Sequence, residues 1–208
     1  MVSGSATINL PFEQRACFAA GQAKSGTTLL IALLDGHPQL LVLPEETAYF
    51  PTALNKYEKF GRRAQVDYLT KEALSRALFG GPPEWEKTDY GHFPIGQFRE
   101  RFEAAAFDPN NADKDLLVLM METYAEILEI PRGLIVRWVE KTPANRRFIP
   151  QILERFPQTK FLITMRDPRA ILAAQILGRS HPEFDEGVRK HREAKAAEIL
   201  ARPDPSQA

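Results

Sequence analysis

Ala16-Cys17-Phe18-Ala19-Ala20-Gly21, then Gln22-Ala23-Lys24-Ser25-Gly26, then Thr27-Thr28-Leu29-Leu30 is the stretch that decides the fold. The first six residues are short, apolar and end in glycine, which predicts a buried strand. The next five read as a loop. Thr27 to Gly36 predicts a helix with Leu29, Leu30, Leu33 and Leu34 on its apolar face and Gly36 at its end. His37-Pro38 turns the chain, and Leu40 to Leu43 predicts a second short strand, closed by Pro44. Strand, loop, helix and strand within about 30 residues predict a parallel α/β sheet.

The same rhythm returns downstream. Leu134 to Val139 reads as a strand, Ala144 to Arg155 as a helix, Lys160 to Met165 as a strand and Pro168 to Leu177 as a helix. Between the two α/β stretches, Val66 to Leu78 and Ile95 to Ala106 read as modest helices, and Gly80-Gly81-Pro82-Pro83 as a break. Lys114 to Glu129 is a stronger helix, with Leu117, Met120, Met121, Tyr124, Ile127 and Leu128 at helical spacing. Its methionines and tyrosine read as core rather than as a binding stripe. Glu183 to Ala201 predicts a last, charged helix.

The chain has 208 residues, enough for one domain and too few for two ordinary domains with a linker. Its 27 basic and 27 acidic side chains balance, which argues against broad electrostatic binding to nucleic acid or an anionic membrane. The single cysteine, Cys17, excludes an internal disulfide and a multi-cysteine zinc site. Residues 1 to 15 carry no basic region followed by an apolar core, and the longest apolar run, Leu116 to Met121, is far below the ~20 residues of a membrane helix. A cytoplasmic protein with no nucleic-acid and no membrane partner is expected. Charge is uneven, however. Arg132 to Arg169 holds nine basic residues against three acidic, a net of +6, so the remainder is −6. A local basic zone in a neutral chain suits a small polyanion. Arg146, Arg147 and Arg155, taken singly, read as a solvated helix face.

Gly21 to Thr28 nearly spells the phosphate loop G-x-x-x-x-G-K-[ST], but Thr27 stands in the lysine slot and the lysine lies inside the loop, at Lys24. The glycine-flexed loop still aims several N–H groups at one spot, where the helix start adds about half a positive charge. An oxyanion site with Lys24 as cation and Ser25, Thr27 and Thr28 as donors is expected. The plain alternative is a turn that merely contains these residues. No clear aspartate follows a later strand to hold a metal for a nucleoside triphosphate. Three further segments leave strand ends in the same way: Leu43-Pro44-Glu45-Glu46-Thr47, Glu140-Lys141-Thr142-Pro143 and Met165-Arg166-Asp167-Pro168-Arg169. Strand ends beside such a loop are where open α/β sheets place ligands. Extended residues 45 and 46 would point to opposite sides, so only one carboxylate of the pair can face the loop, and spacing does not decide which.

Together these segments resemble the sulfotransferases that use 3′-phosphoadenosine 5′-phosphosulfate (PAPS). Ala23 to Leu30 is similar to their 5′-phosphosulfate loop, and Phe161 to Arg169 to their 3′-phosphate segment. Asp35-Gly36-His37-Pro38 before Glu45-Glu46-Thr47, and Glu140-Lys141-Thr142-Pro143 before Phe156-Pro157, resemble the branch that includes tyrosylprotein sulfotransferases. The likeness covers residues 16 to 50 and 134 to 178. It implies that Lys24, Ser25, Gly26, Thr27 and Thr28 hold the 5′-phosphosulfate, that Arg166 holds the 3′-phosphate, that Glu46 is the general base and that Lys141 contacts the transferring group. It implies PAPS as donor co-substrate, no metal, and a small-molecule, peptide or sugar hydroxyl as acceptor. The fold expected is a P-loop-like three-layer α/β architecture with a central parallel sheet flanked by helices. It forms one domain over 1–208, with flexible residues 1–14 and 202–208 and a helical insert at 50–131 on the acceptor side.

Two departures accompany the likeness. The family serine eight residues after the arginine is Ala174 here, and the glycine- and lysine-containing loop that closes over the nucleotide in the family does not follow before Ala208. A truncated form, a minimal variant or one that completes the site otherwise is therefore expected. The competing readings are a P-loop nucleotide kinase, opposed by Thr27 in the lysine slot, and a non-catalytic module that keeps the fold.

Overall fold

The computed structural model describes residues 10–73 and 93–177. Four strands, β1 (Ala16–Gly21), β2 (Leu40–Val42), β3 (Arg137–Lys141) and β4 (Lys160–Thr164), form one parallel sheet in the order β2-β3-β1-β4. β1 is central and buried along its whole length, which explains its continuous apolar run. Its side chains alternate between two cores. Ala16 and Phe18 join Phe50, Trp138 and Phe156 on one face. Cys17 and Ala19 join Ile31, Val42 and Val139 on the other, beneath helix α1 (Thr27–Leu34). The larger core is aromatic: Phe18 meets Phe50 and Trp138 edge-on at 5.6 and 5.8 Å, and each such pair adds roughly 0.5–1.5 kcal/mol beyond area burial.

Between β2 and β3 the chain builds helical layers on the larger core. These comprise π-helical turns at Tyr49–Leu54 and Tyr68–Ala73, α2 (Arg62–Asp67), α3 (Ile95–Phe107) and α4 (Leu116–Ile127). Asp115 caps α4, accepting from the Leu117 N–H at 2.8 Å. Met120 and Met121 are fully buried, as core residues. The Arg62 guanidinium donates to the carbonyls of Ala106, Asn111, Ala112 and Lys114, tying the α3–α4 connection together.

Several expectations are corrected. The third strand begins at Arg137, not Leu134, because Arg132–Leu134 forms a 3-10 turn after Pro131. It runs on through Glu140 and Lys141, charged residues whose partners lie on neighbouring loops. The helix expected from Ala144 is a 3-10 turn at Pro143–Arg147 followed by α5 (Ile149–Arg155). Pro150 has no N–H to continue a helix and sits in the first turn of α5 instead. On α1, Ile31 and Thr27 face the sheet, Leu30 and Leu34 pack beside them, and Leu29 and Leu33 are exposed. Within the described part of residues 1–14, expected to be flexible, Phe12 is buried and its carbonyl accepts the Trp138 indole N–H at 2.8 Å, while Pro11 and Glu13 are exposed. The Val66–Leu78 helix is found as α2 and the π-helical turn up to Ala73. Its remainder, the Gly80–Pro83 break, the helix expected at Glu183–Ala201 and both extreme ends of the chain lie outside the described residues.

Candidate active site

All four segments singled out from the sequence leave the sheet at its C-terminal edge, the side where open parallel sheets bind ligands. After β1 the chain makes a tight loop at residues 22–26, closed by the Ser25 N–H on the Gln22 carbonyl at 2.9 Å. Two of its residues have left-handed backbone, Lys24 at φ 73° and Gly26 at φ 100°. For lysine this conformation costs on the order of 1 kcal/mol or more. The surroundings hold it there: the Arg166 guanidinium donates to the Lys24 carbonyl at 3.1 Å, and the Gln175 amide donates to the Ala23 carbonyl at 3.3 Å. The Ser25 and Thr164 hydroxyls are hydrogen-bonded at 2.6 Å. A Cβ on Gly21 would stand 2.3 Å from Thr164 Oγ1 and 2.7 Å from Ser25 Oγ, so this strand end must be glycine.

The loop delivers the chain into α1. The N–H groups of Thr27, Thr28 and Leu29, in its first turn, have no intrahelical acceptor. Nothing lies within 4 Å of where a Gly26 Cβ would be, so the space over the loop is open. Lys24 and Thr28 are exposed, while Thr27 and Ser25 are buried. Open N–H donors, a lysine, hydroxyls and a nearby guanidinium are the donor set an anionic phosphosulfate requires, and the residues present fit it.

Across the sheet edge, Lys141 Nζ donates to Glu46 Oε1 at 2.8 Å. Lys141 ends β3 opposite Ala19 of β1, and its side chain is 4% exposed against 46% for Glu46. The structure thus brings Glu46 and Lys141 together. Glu45 is half-buried. Burial lifts its carboxyl above the ordinary range, the Lys141 charge draws it back and the Glu46 charge adds to the rise. Glu140, one residue before Lys141, is fully buried and accepts from Thr47, Thr142 and Asn145. Burial lifts its carboxyl too, against the pull of those donors.

Arg166 does not pair with Asp167. That carboxylate is taken by Arg169 at 2.8 Å and caps α6 (Pro168–Leu177), contacts that hold it at about 2. Arg166 remains directed at the loop. A cavity of about 560 Å³ opens between the loop and α6, walled by Ile163, Ile171 and Leu172 and bearing Arg146, Arg166 and Arg169. Arg146 was expected on a solvated face. It lines this cavity instead, and its guanidinium donates to the Gln22 side chain. Arg146 and Gln175 carry no local signal in the sequence, since only the fold brings their turn and helix to the loop. Among the described residues, no group of three or more His, Cys, Asp or Glu side chains could hold a metal ion, and no helix is long and apolar enough to cross a membrane.

The fold is a parallel α/β sheet with a lysine- and glycine-bearing loop leading into a helix at its edge, and comparison gives its family. The chain matches the sulfotransferase family over residues 17–202 and belongs to that family. It is similar to a protein-tyrosine sulfotransferase of Drosophila melanogaster, 28% identical over 159 residues, a match that covers 74% of this chain and 23% of the relative. The chain thus spans less than a quarter of that relative's length.

Proposed function

We propose that the protein moves a sulfuryl group from PAPS to a hydroxyl acceptor. The observation that carries the reading is the Lys141–Glu46 pair, 2.8 Å apart at the sheet edge that also bears the Lys24–Gly26 loop. A cation and a carboxylate side by side there are what an attack by a hydroxyl on a sulfonate requires. The new bond joins the acceptor oxygen to sulfur, and the bond from sulfur to the 5′-phosphate oxygen breaks. The acceptor proton passes to Glu46, and adenosine 3′,5′-bisphosphate leaves. Such transfers go through loose transition states, so positioning and charge do most of the work.

In this reading Lys24, Ser25, Gly26, Thr27 and Thr28 hold the 5′-phosphosulfate and Arg166 the 3′-phosphate. Arg146 adds a further charge to the cavity wall. Lys141 offsets charge on the sulfonate and the leaving oxygen. Drawn onto that group, it releases Glu46 from the ion pair and leaves the carboxylate free to act as base. Glu46 is preferred to Glu45 because Glu46 makes the direct contact with Lys141. The likeness to a protein-tyrosine sulfotransferase favours a tyrosine hydroxyl on a protein or peptide as acceptor. The helical segment between β2 and β3 is proposed as the acceptor side.

Calorimetric titration tests the donor. Adenosine 3′,5′-bisphosphate should bind without magnesium, and ATP with magnesium should not compete. Transfer of labelled sulfate from PAPS to a tyrosine peptide tests the reaction. Binding of ATP with magnesium in preference to the bisphosphate would refute the reading.

A further inference from the structure

Among the described residues Glu140 is the one fully buried carboxylate at this edge, and the proposed chemistry makes no use of it. Its Oε1 accepts from the Thr47 hydroxyl at 2.7 Å, the Thr47 N–H at 3.3 Å and the Thr142 hydroxyl at 2.6 Å. Its Oε2 accepts from the Asn145 amide at 2.6 Å. Each hydroxyl also works in the other direction. The Thr47 oxygen accepts from the Tyr49 N–H at 3.1 Å, and the Thr142 oxygen accepts from the Ala48 N–H at 3.0 Å. One carboxylate thereby fixes three consecutive backbone N–H groups, directly or through a hydroxyl, in the residues that follow Glu46. Ala48 is left-handed at φ 47°, a conformation that needs such restraint.

We propose that Glu140 is a positioning residue for the reaction, an inference that rests on the sulfotransferase reading above. Its acceptor oxygens lock the strand-less segment 45–48 to the end of β3, so that Glu46 meets Lys141 in one geometry. Glu140 touches neither sulfonate nor acceptor. It sets where the base stands, through Thr47 and Thr142. Segment 45–48 belongs to no strand, so no ladder of backbone hydrogen bonds would keep its register without these contacts. A misplacement near 1 Å costs rates of about 10²-fold in well-oriented reactions, which is the scale at stake.

The test compares Glu140→Ala, Glu140→Gln and Thr142→Val in wild-type and Glu46→Gln backgrounds, reading kcat for sulfate transfer from PAPS, affinity for adenosine 3′,5′-bisphosphate, and melting temperature. Glu140→Ala and Thr142→Val should each lower kcat at least about tenfold and leave bisphosphate affinity within about twofold. Glu140→Gln should recover most of the loss. Its carbonyl can take the three donors on Oε1, and its amide can donate to Asn145 Oδ1, which has no partner in the structure, once the asparagine amide turns over. In the Glu46→Gln background Thr142→Val should cost nothing further, because the base it positions is gone. If Glu140→Ala fails to fold, Thr142→Val decides. Wild-type kcat in Thr142→Val overturns the inference, and so does the same fold-loss in both backgrounds, which marks a purely structural role. Glu46→Gln turning over at the wild-type rate brings down the reading beneath it as well, and that single variant tells the two failures apart.

Discussion

Lys141→Met separates stability from function at the proposed site. The lysine side chain is 4% exposed and ends a central strand, while its partner Glu46 is 46% exposed. Methionine has nearly the same length, so it fills the same space without bringing a charge out of water. Exchanging a whole buried ion pair for apolar side chains of similar volume is often neutral or stabilising by about 1–4 kcal/mol, and removing one partner is costly only where it leaves the other charge buried. Glu46, left alone, is half in water and keeps most of its hydration. The net expectation for folding is therefore a change within about 1 kcal/mol of zero, or a gain, read from the denaturant midpoint. The expectation for turnover is the reverse. Losing a preorganised donor to the developing oxyanion typically costs 10²–10³ in kcat, about 2.7–4 kcal/mol. The assay is labelled-sulfate transfer from PAPS to a tyrosine peptide, with bisphosphate affinity measured on the same preparation. A stable Lys141→Met protein with kcat within threefold of wild type would refute the role. An unstable one would show that the ion pair is a stability device.

Three other outcomes are expected. Gly21→Ala places a Cβ 2.3 Å from Thr164 Oγ1 and 2.8 Å from the Thr164 carbonyl, so it should separate the Ser25–Thr164 pair and destabilise by roughly 1–3 kcal/mol; thermal melts check this, and an unchanged melting temperature would show that the strand ends are loosely packed. Arg166→Ala should weaken adenosine 3′,5′-bisphosphate by roughly 1.5–3 kcal/mol. It should weaken adenosine 5′-phosphate much less, only through the lost brace on the Lys24 carbonyl, and equal losses in calorimetry would remove the 3′-phosphate assignment. Cys17 lies buried under α1 with its thiol pushed up to about 11, so at pH 8 a disulfide reagent should not label the folded chain and should label it after unfolding in denaturant; prompt labelling of the native protein would contradict the packing of β1.

The loop and its flanking elements were legible because each rests on local rules. Glycine at the strand end, lysine and glycine in the turn and a threonine-led helix declare themselves within a dozen residues. The phase of α1 was not legible. Five of its eight residues are leucine or isoleucine, so composition gives no preferred face. The β1–α1 loop sets the rotation, burying Thr27 and, one turn later, Ile31. The start of β3 is hidden in the sequence for a related reason. Leu134 and Ile135 are as apolar as a strand, but Pro131 and Gly133 favour a turn, and the ladder with β2 begins only at Arg137. Sequence spacing also could not choose between Glu45 and Glu46, since the segment leaves the strand before either, and the contact with Lys141 falls to Glu46.

Net charge located the basic stretch but not its work. Arg132 pairs with Glu122 and Glu126, Arg155 with Glu58 and Asp115, and Arg137 donates to the carbonyls of Gln14 and Gln158. Arg169 is taken by Asp167. These four are held by contacts that fasten helices and strand ends. Lys141, Arg146 and Arg166 differ in where the backbone sets them: one ends β3, one lies in the turn after it, and one follows β4. β3 and β4 flank β1 in the sheet, so their ends stand on either side of the loop that β1 delivers. Strand order therefore sets the geometry of the proposed anion site: Arg146 and Arg166 reach the loop from its two sides because the strand between them is the one that carries it, and Lys141 ends β3 beside that strand. A single basic residue moved by one position along β3 would turn to the other face of the sheet, and the same net charge would then be lost to the proposed site.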